Sequence, residues 1–239
     1  GAGAGIVIKN YFHDVITESI NYSAENTILQ KMIKYKDQFD AVIFTDFCPC
    51  NLTEVKAFGK PVLVLDHHES AVKYNNPKEF VYVCPGHCGA KLALTYFNHD
   101  DCLKHLTEFI EIVNDFDLYI LKDPRSKCFN SLYWDMGFNW FMNRFYNGDI
   151  ELSKAEKAFL VRKQKDFKKH YDQLEISELK NGGVFCYSEK YISEITDALR
   201  NEGYKWVVIY RPGYLSVRSS DDSNINLVEV AKIVGKGGG

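Results

Sequence analysis

Two short apolar runs, AVIFTD at 41–46 and PVLVLD at 61–66, constrain this chain most. Neither alternates polar and apolar residues. A strand that is apolar on both faces has to be covered on both, which is the condition of a parallel sheet lying between helices. Leu52 to Phe58 reads as a short helix between the runs, so strand, helix and strand have the spacing of a βαβ unit. EFVYVC at 79–84 is a third strand candidate. The predicted fold class is therefore α/β, with an N-terminal parallel sheet flanked by helices.

Around these strands the pattern is helical. Gly1 to Gly5 reads as a glycine turn that opens a helix, and Glu25–Gln38, His87–Phe97 and Cys102–Asp115 read as further helices. Residues 116–150 are dense in aromatic side chains, among them Tyr133, Trp134, Phe138, Phe141 and Phe145. Such density marks a core or a domain contact more often than a platform for stacking bases. Ser153 to Lys180 reads as a long polar helix carrying Arg162, Lys163, Lys165, Lys168 and Lys169. A solvated linker helix is the plain reading of that stretch; a positive wall beside a nucleic-acid groove is the alternative. After Asn181-Gly182-Gly183 the chain alternates strands at 184–187, 205–210 and 214–219 with helices at 192–200 and 225–234. The expected organisation is a catalytic domain at 1–150, a linker helix at 151–182 and a smaller α/β domain at 183–239.

Composition narrows the function. A formal net charge of -3 over 239 residues means that an anionic ligand has to be met by local cations or by metal ions. No apolar run approaches the roughly 20 residues that span a bilayer, so a cytoplasmic protein with no membrane partner is expected. Seven cysteines, an odd number without the spacing of a secreted scaffold, read as reduced thiols. The sharper alternative is a structural zinc on Cys48, Cys50, Cys84, His87 and Cys88, although Cys-Pro-Cys is tighter than usual zinc spacing.

The chemistry collects at the strand ends, where ligands of open α/β sheets sit. Asp46 and Asp66 end the two apolar runs, His67 and His68 follow at once, and Asp115 closes the apolar EFIEIV segment. A lone aspartate there is usually a cap or turn former. Several carboxylates beside two imidazoles instead suit Mn²⁺, Zn²⁺ or Mg²⁺, because clustered carboxylates repel one another unless a cation or a proton intervenes.

LVLDHHES carries the Asp-His-His signature of the DHH phosphoesterase superfamily, which the chain resembles over essentially its whole length. FTDFC is similar to that family's preceding aspartate motif and VNDFDLY to its fourth. Gly1-Ala2-Gly3 is similar to the tail of its first motif, in which a His-x-Asp-x-Asp triplet stands immediately before the glycine. LSVRSS and GKGGG resemble the substrate-binding strand and glycine-rich loop of the DHH-associated C-terminal domain, the loop normally running on into a histidine. Truncation of the sequence is the expected reason that the triplet and that histidine are not seen.

The resemblance, closest to the oligoribonuclease and RecJ-like branch, implies a phosphoesterase or exonuclease with two divalent ions, usually Mn²⁺, with Mg²⁺ as the alternative. Asp46 would bridge the ions, His67 would bind one and Asp115 the other, with Asp117 a weaker candidate. Asp66 would orient an imidazole, and His68 would face the scissile phosphate. Arg218, Ser219, Gly237, Gly238 and Gly239 would grip the substrate, a short single-stranded nucleic acid, dinucleotide or nucleotide. A homodimer stays open. The rival readings are a module that binds nucleic acid without cleaving it, and a pyrophosphatase or polyphosphatase.

Overall fold

The computed structural model describes residues 1–20, 24–220 and 227. The chain divides into two compact units, Gly1–Glu156 and Lys157–Gly239. In the first unit, β1 (Val42–Thr45), β2 (Val62–Asp66) and β3 (Val81–Val83) form a parallel sheet in the order β1-β2-β3. The register sets Phe44 beside Val64 and Val64 beside Val81. Val64 and Leu65 are adjacent and point to opposite faces, yet both are 0 % exposed. The middle strand is thus buried on both faces, which is what its unbroken apolar run requires.

On one face, Val64, Phe44, Val81 and Val83 pack with Leu29 and Met32 of α2 (Glu25–Lys34) and with Val55 of α3 (Leu52–Ala57). Beyond these, α4 (Gly89–Phe97) contacts β1 and β2, α1 (Ala2–Tyr11) packs on α4, and α5 (Thr107–Asp117) packs on α4 as well. Gly3 and Gly5 lie inside α1, which starts at Ala2, and do not form the expected turn. Their use is close approach: a Cβ on Gly3 would stand 3.0 Å from the Ala90 Cβ and 3.2 Å from Val113. The helix expected from Cys102 starts only at Thr107, after a 3-10 turn at Lys104–Leu106. The helix expected to reach Gln38 ends at Lys34, followed by a 3-10 turn at Lys36–Gln38.

The aromatic stretch is core. Phe109 meets Phe129, Phe141 and Phe145 with ring centroids 5.3–6.0 Å apart, and Phe145 lies 4.5 Å from Phe129. These rings join α5 to α6 (Pro124–Met136) and α7 (Phe138–Arg144). Asp123 caps α6 by accepting the Arg125 N–H, and Gly137, with φ of 85°, ends it. Tyr119, Trp134 and Tyr146 stay exposed, Trp134 the most at 74 %.

The long polar helix, α8 (Lys154–Tyr171), opens with a capping box: Ser153 Oγ accepts the Glu156 N–H, and Glu156 accepts the Ser153 N–H at 2.6 Å. It stops at Tyr171, short of the expected Lys180. The residues beyond form an edge strand, β4 (Ile176–Leu179), all four of them exposed. In the second unit β4, β5 (Gly183–Tyr187), β6 (Trp206–Arg211) and β7 (Tyr214–Ser219) pair in that order, with β5 and β6 parallel across α9 (Ile192–Asn201). Val184, Cys186, Val207 and Ile209 pack against Ile195 and Leu199 of α9. The expected helix at 225–234 and the GKGGG loop lie outside the described residues, Leu227 apart. No described helix is long and apolar enough to cross a membrane.

The aromatic cluster yields a direct test. Phe109→Ala should lower unfolding free energy by about 3–5 kcal/mol in chemical denaturation, since it empties a buried ring site. Trp134→Ala should change it by no more than about 0.5 kcal/mol.

Candidate metal centre

The sheet delivers polar groups to its carboxyl edge from two strands. Asp46 follows β1 with φ of 54°, a left-handed turn that aspartate tolerates better than most residues, and its N–H is held by the Leu65 carbonyl at 3.0 Å. Asp66 ends β2 and is 0 % exposed. From the helical side, Asp117 is the last residue of α5, and Gly89 is the first of α4.

These segments converge on His67. Its Nε2 lies 3.2 Å from Asp117 Oδ2 and 3.7 Å from Asp46 Oδ1. Asp46, His67 and Asp117 each present one donor atom, all within 4.8 Å of one another, as a cation site demands. Asp46 Oδ1 accepts the Gly89 N–H at 2.6 Å, and its Oδ2 contacts the Gly1 amino group. A Cβ on residue 89 would stand 2.1 Å from Asp46 Oδ1 and 2.7 Å from the Asp46 nitrogen, so only glycine leaves room for this carboxylate.

Asp66 serves the histidines from beneath. Its Oδ1 accepts the His67 backbone N–H at 2.9 Å and sits 2.7 Å from His68 Nδ1. Its Oδ2 is buried without a hydrogen-bond partner among the described residues. Asp66, His67 and His68 make a second group with metal-ligating atoms in mutual reach, and the two imidazoles lie 4.5 Å apart.

Electrostatics follow from this crowding. Burial pushes the Asp117 carboxyl up, and the neighbouring Asp46 charge pushes it further, so it holds its proton above the ordinary carboxylate range. Burial also opposes ionisation of Asp46, while His67 and the Gly89 N–H favour it. The hydrogen bond to Asp66 raises His68 above the usual imidazole value, against the effect of burial.

The sequence expectation gave Asp115 to a metal ion and kept Asp117 as a weaker candidate; in the structure it is the Asp117 carboxylate that lies beside His67. The two are separated by two helical positions, about 200° of rotation, so they face nearly opposite ways. Asp115, 8 % exposed, accepts the backbone N–H groups of Lys122 at 2.9 Å and Asp123 at 3.1 Å and so closes the loop before α6. Asn114 does something different again, its Oδ1 accepting the Cys88 N–H at 2.9 Å. Sequence reasoning missed Gly89 and Asn114; the signals were a glycine at a helix start and an amide inside VNDFD.

The zinc alternative is not assembled. Cys84 Sγ lies 4.0 Å from His87 Nδ1, but among the described residues no group able to hold a metal includes a cysteine. Burial drives the Cys48 and Cys88 thiols up to about 12, which keeps them protonated. In the second unit, Arg218 is exposed on β7, and its charge acts on Asp197 of α9. Ser219 pairs with Trp206 in the register, and Gly237, Gly238 and Gly239 lie outside the described residues.

No protein-family model matches the chain, and no curated protein matches it. Among solved structures, the DHH domain of a member of a ribosomal-protein family superposes with a TM-score of 0.63. The fold is that of a DHH domain. The superposition covers 98% of this chain and 75% of the DHH-domain chain at 13% identity. An uncharacterized protein from Helicobacter pylori G27 also aligns over 98% of this chain and 85% of its own, at 14% identity and a TM-score of 0.49.

A DHH-domain fold with an Asp46–His67–Asp117 cluster makes two outcomes testable. Asp117→Ala should weaken Mn²⁺ binding at least tenfold in calorimetry, whereas Asp115→Ala should lower thermal stability and leave Mn²⁺ affinity near the wild-type value. Because the Asp117 proton is held to higher pH than usual, a divalent cation taken up there would have to displace it. Affinity should therefore fall as pH is lowered through the raised Asp117 range, and Asp117→Asn should flatten that dependence.

Proposed function

We propose that the chain is a metal-dependent phosphoesterase that hydrolyses phosphodiester or phosphomonoester bonds of short oligonucleotides, dinucleotides or nucleotides. The observation that carries this reading is the meeting of Asp46, His67 and Asp117, from three separate segments, at the carboxyl edge of the parallel sheet of a DHH-domain fold. Two carboxylate oxygens and one imidazole nitrogen suit Mn²⁺ or Mg²⁺. Burial and the neighbouring Asp46 charge raise the Asp117 carboxyl, and a divalent cation would oppose both effects, so the residues fit the ion.

Divalent cations held there would supply an activated water and charge neutralisation at the phosphoryl oxygens. The chain's own groups do the rest. The Gly89 N–H fixes the orientation of Asp46, and the Asp66 carboxylate fixes both the His67 backbone and the His68 ring. With Nδ1–H directed at Asp66, His68 is stabilised as an imidazolium beside the cluster, able to stabilise a phosphoryl oxygen or give a proton to the leaving oxygen. Asp46, His67 and Asp117 satisfy one cation. Arg218, with Ser219 and the Gly237–Gly239 backbone, would bind a substrate phosphate in the second unit, the guanidinium offering a bidentate fork.

The test is an assay of the full-length protein with Mn²⁺ on a panel of 5′-phosphorylated dinucleotides, longer single strands, bisphosphorylated adenosine and pyrophosphate. Hydrolysis of the short nucleic acids or the nucleotide is expected, with Asp46→Ala and His67→Ala at background and chelator-treated enzyme restored by Mn²⁺. Arg218→Ala should raise KM by about tenfold or more with kcat retained. Turnover of pyrophosphate alone, or wild-type rates in Asp46→Ala, would contradict the proposal.

A further inference from the structure

Asp46 and Asp117 come from different elements, one following β1 and one ending α5, and their charges repel. The start of α4 stands between them. A helix opens with N–H groups that no preceding turn can satisfy. Here two consecutive ones point outward to different elements. The Cys88 N–H goes to Asn114 Oδ1 on α5 at 2.9 Å, and the Gly89 N–H goes to Asp46 Oδ1 at 2.6 Å. Asn114 precedes Asp117 by three residues, close to one helical turn, so the two lie on neighbouring parts of one helix face. Gly89 cannot shift to accommodate a side chain, because its Cβ position is filled by Asp46.

We infer that Asn114 is a positioning residue: through the Cys88–Gly89 peptide it straps the α5 end to the Asp46 carboxylate and sets the spacing of the two acidic ligands. This rests on the metal-centre reading for its consequence, but the strap itself is a property of the protein without cation. Asn114 touches neither ligand. It holds the peptide whose next N–H orients Asp46, and it fixes the turn of α5 that carries Asp117. The Asn114 amide, neutral and short, does this without adding a third negative charge to the crowded edge.

Two readouts test it on the full chain. In the metal-free protein, amide hydrogen exchange at Cys88 and Gly89 reports the strap. Mn²⁺ titration calorimetry reports its consequence. Asn114→Leu keeps the shape and removes the acceptor. It should speed Gly89 exchange at least tenfold, although residue 114 bonds only Cys88, and weaken Mn²⁺ by about 10- to 100-fold. Asn114→Asp keeps the acceptor and should retain Gly89 protection and hold Mn²⁺ at or above the wild-type affinity. Asn114→Ser, too short to reach Cys88, should repeat the Leu result if the Leu variant does not fold. Unchanged Gly89 protection in a folded Leu or Ser variant would overturn the inference, as would an Asp variant that loses as much as Leu. If Gly89 protection depends on Asn114 in a protein that binds no Mn²⁺ even as wild type, the strap stands and the metal reading alone falls.

Discussion

The repulsion between Asp46 and Asp117 is the constraint on which the first unit's edge is organised. Two carboxylates and an imidazole within a few ångströms are stable only if other groups compensate. Asp46 receives that help from a helix start: the Gly89 N–H of α4 meets it, carrying the positive end of a helix dipole. Asp117 is buried beside the Asp46 charge, and its carboxyl is driven up by both. Small residues permit the arrangement. Gly3 lets α1 close on Ala90, and Gly89 leaves the volume that Asp46 occupies. Packing that looks structural in α1 and α4 is thus what brings their ends to the sheet.

Much of this was legible in the sequence. The unbroken apolar runs required a doubly covered parallel sheet, and Val64 and Leu65 are buried on opposite faces as that argument demands. Strand ends located Asp46 and His67, because a parallel sheet has one edge at which its strands deliver side chains. Aromatic density located the core around Phe109. What was not legible depends on phase. Choosing between Asp115 and Asp117 requires the rotation of α5 to within a fraction of a turn, and an expected helix start several residues too early does not supply it. β4 was missed because all four of its residues are exposed, so it carries no burial pattern to read. Asn114 and Gly89 act through backbone N–H groups, which leave little signature in residue type.

VNDFD shows how closely different roles can be interleaved. Asn114 holds the start of α4, Asp115 closes the loop before α6, and Asp117 faces His67. Three polar residues at one helix end are each committed to a different element. The second unit has a simpler logic, a mixed sheet covered by α9, with Arg218 exposed near the end of its last strand.

The central claim is that Asp46, His67 and Asp117 together hold a divalent cation. Crystals of the protein soaked in Mn²⁺, measured at the manganese absorption edge, test it most directly. The account predicts an anomalous peak within bonding distance of Asp46 Oδ, His67 Nε2 and Asp117 Oδ. A fully soaked crystal with no peak there, or with manganese bound only by other side chains, would contradict it.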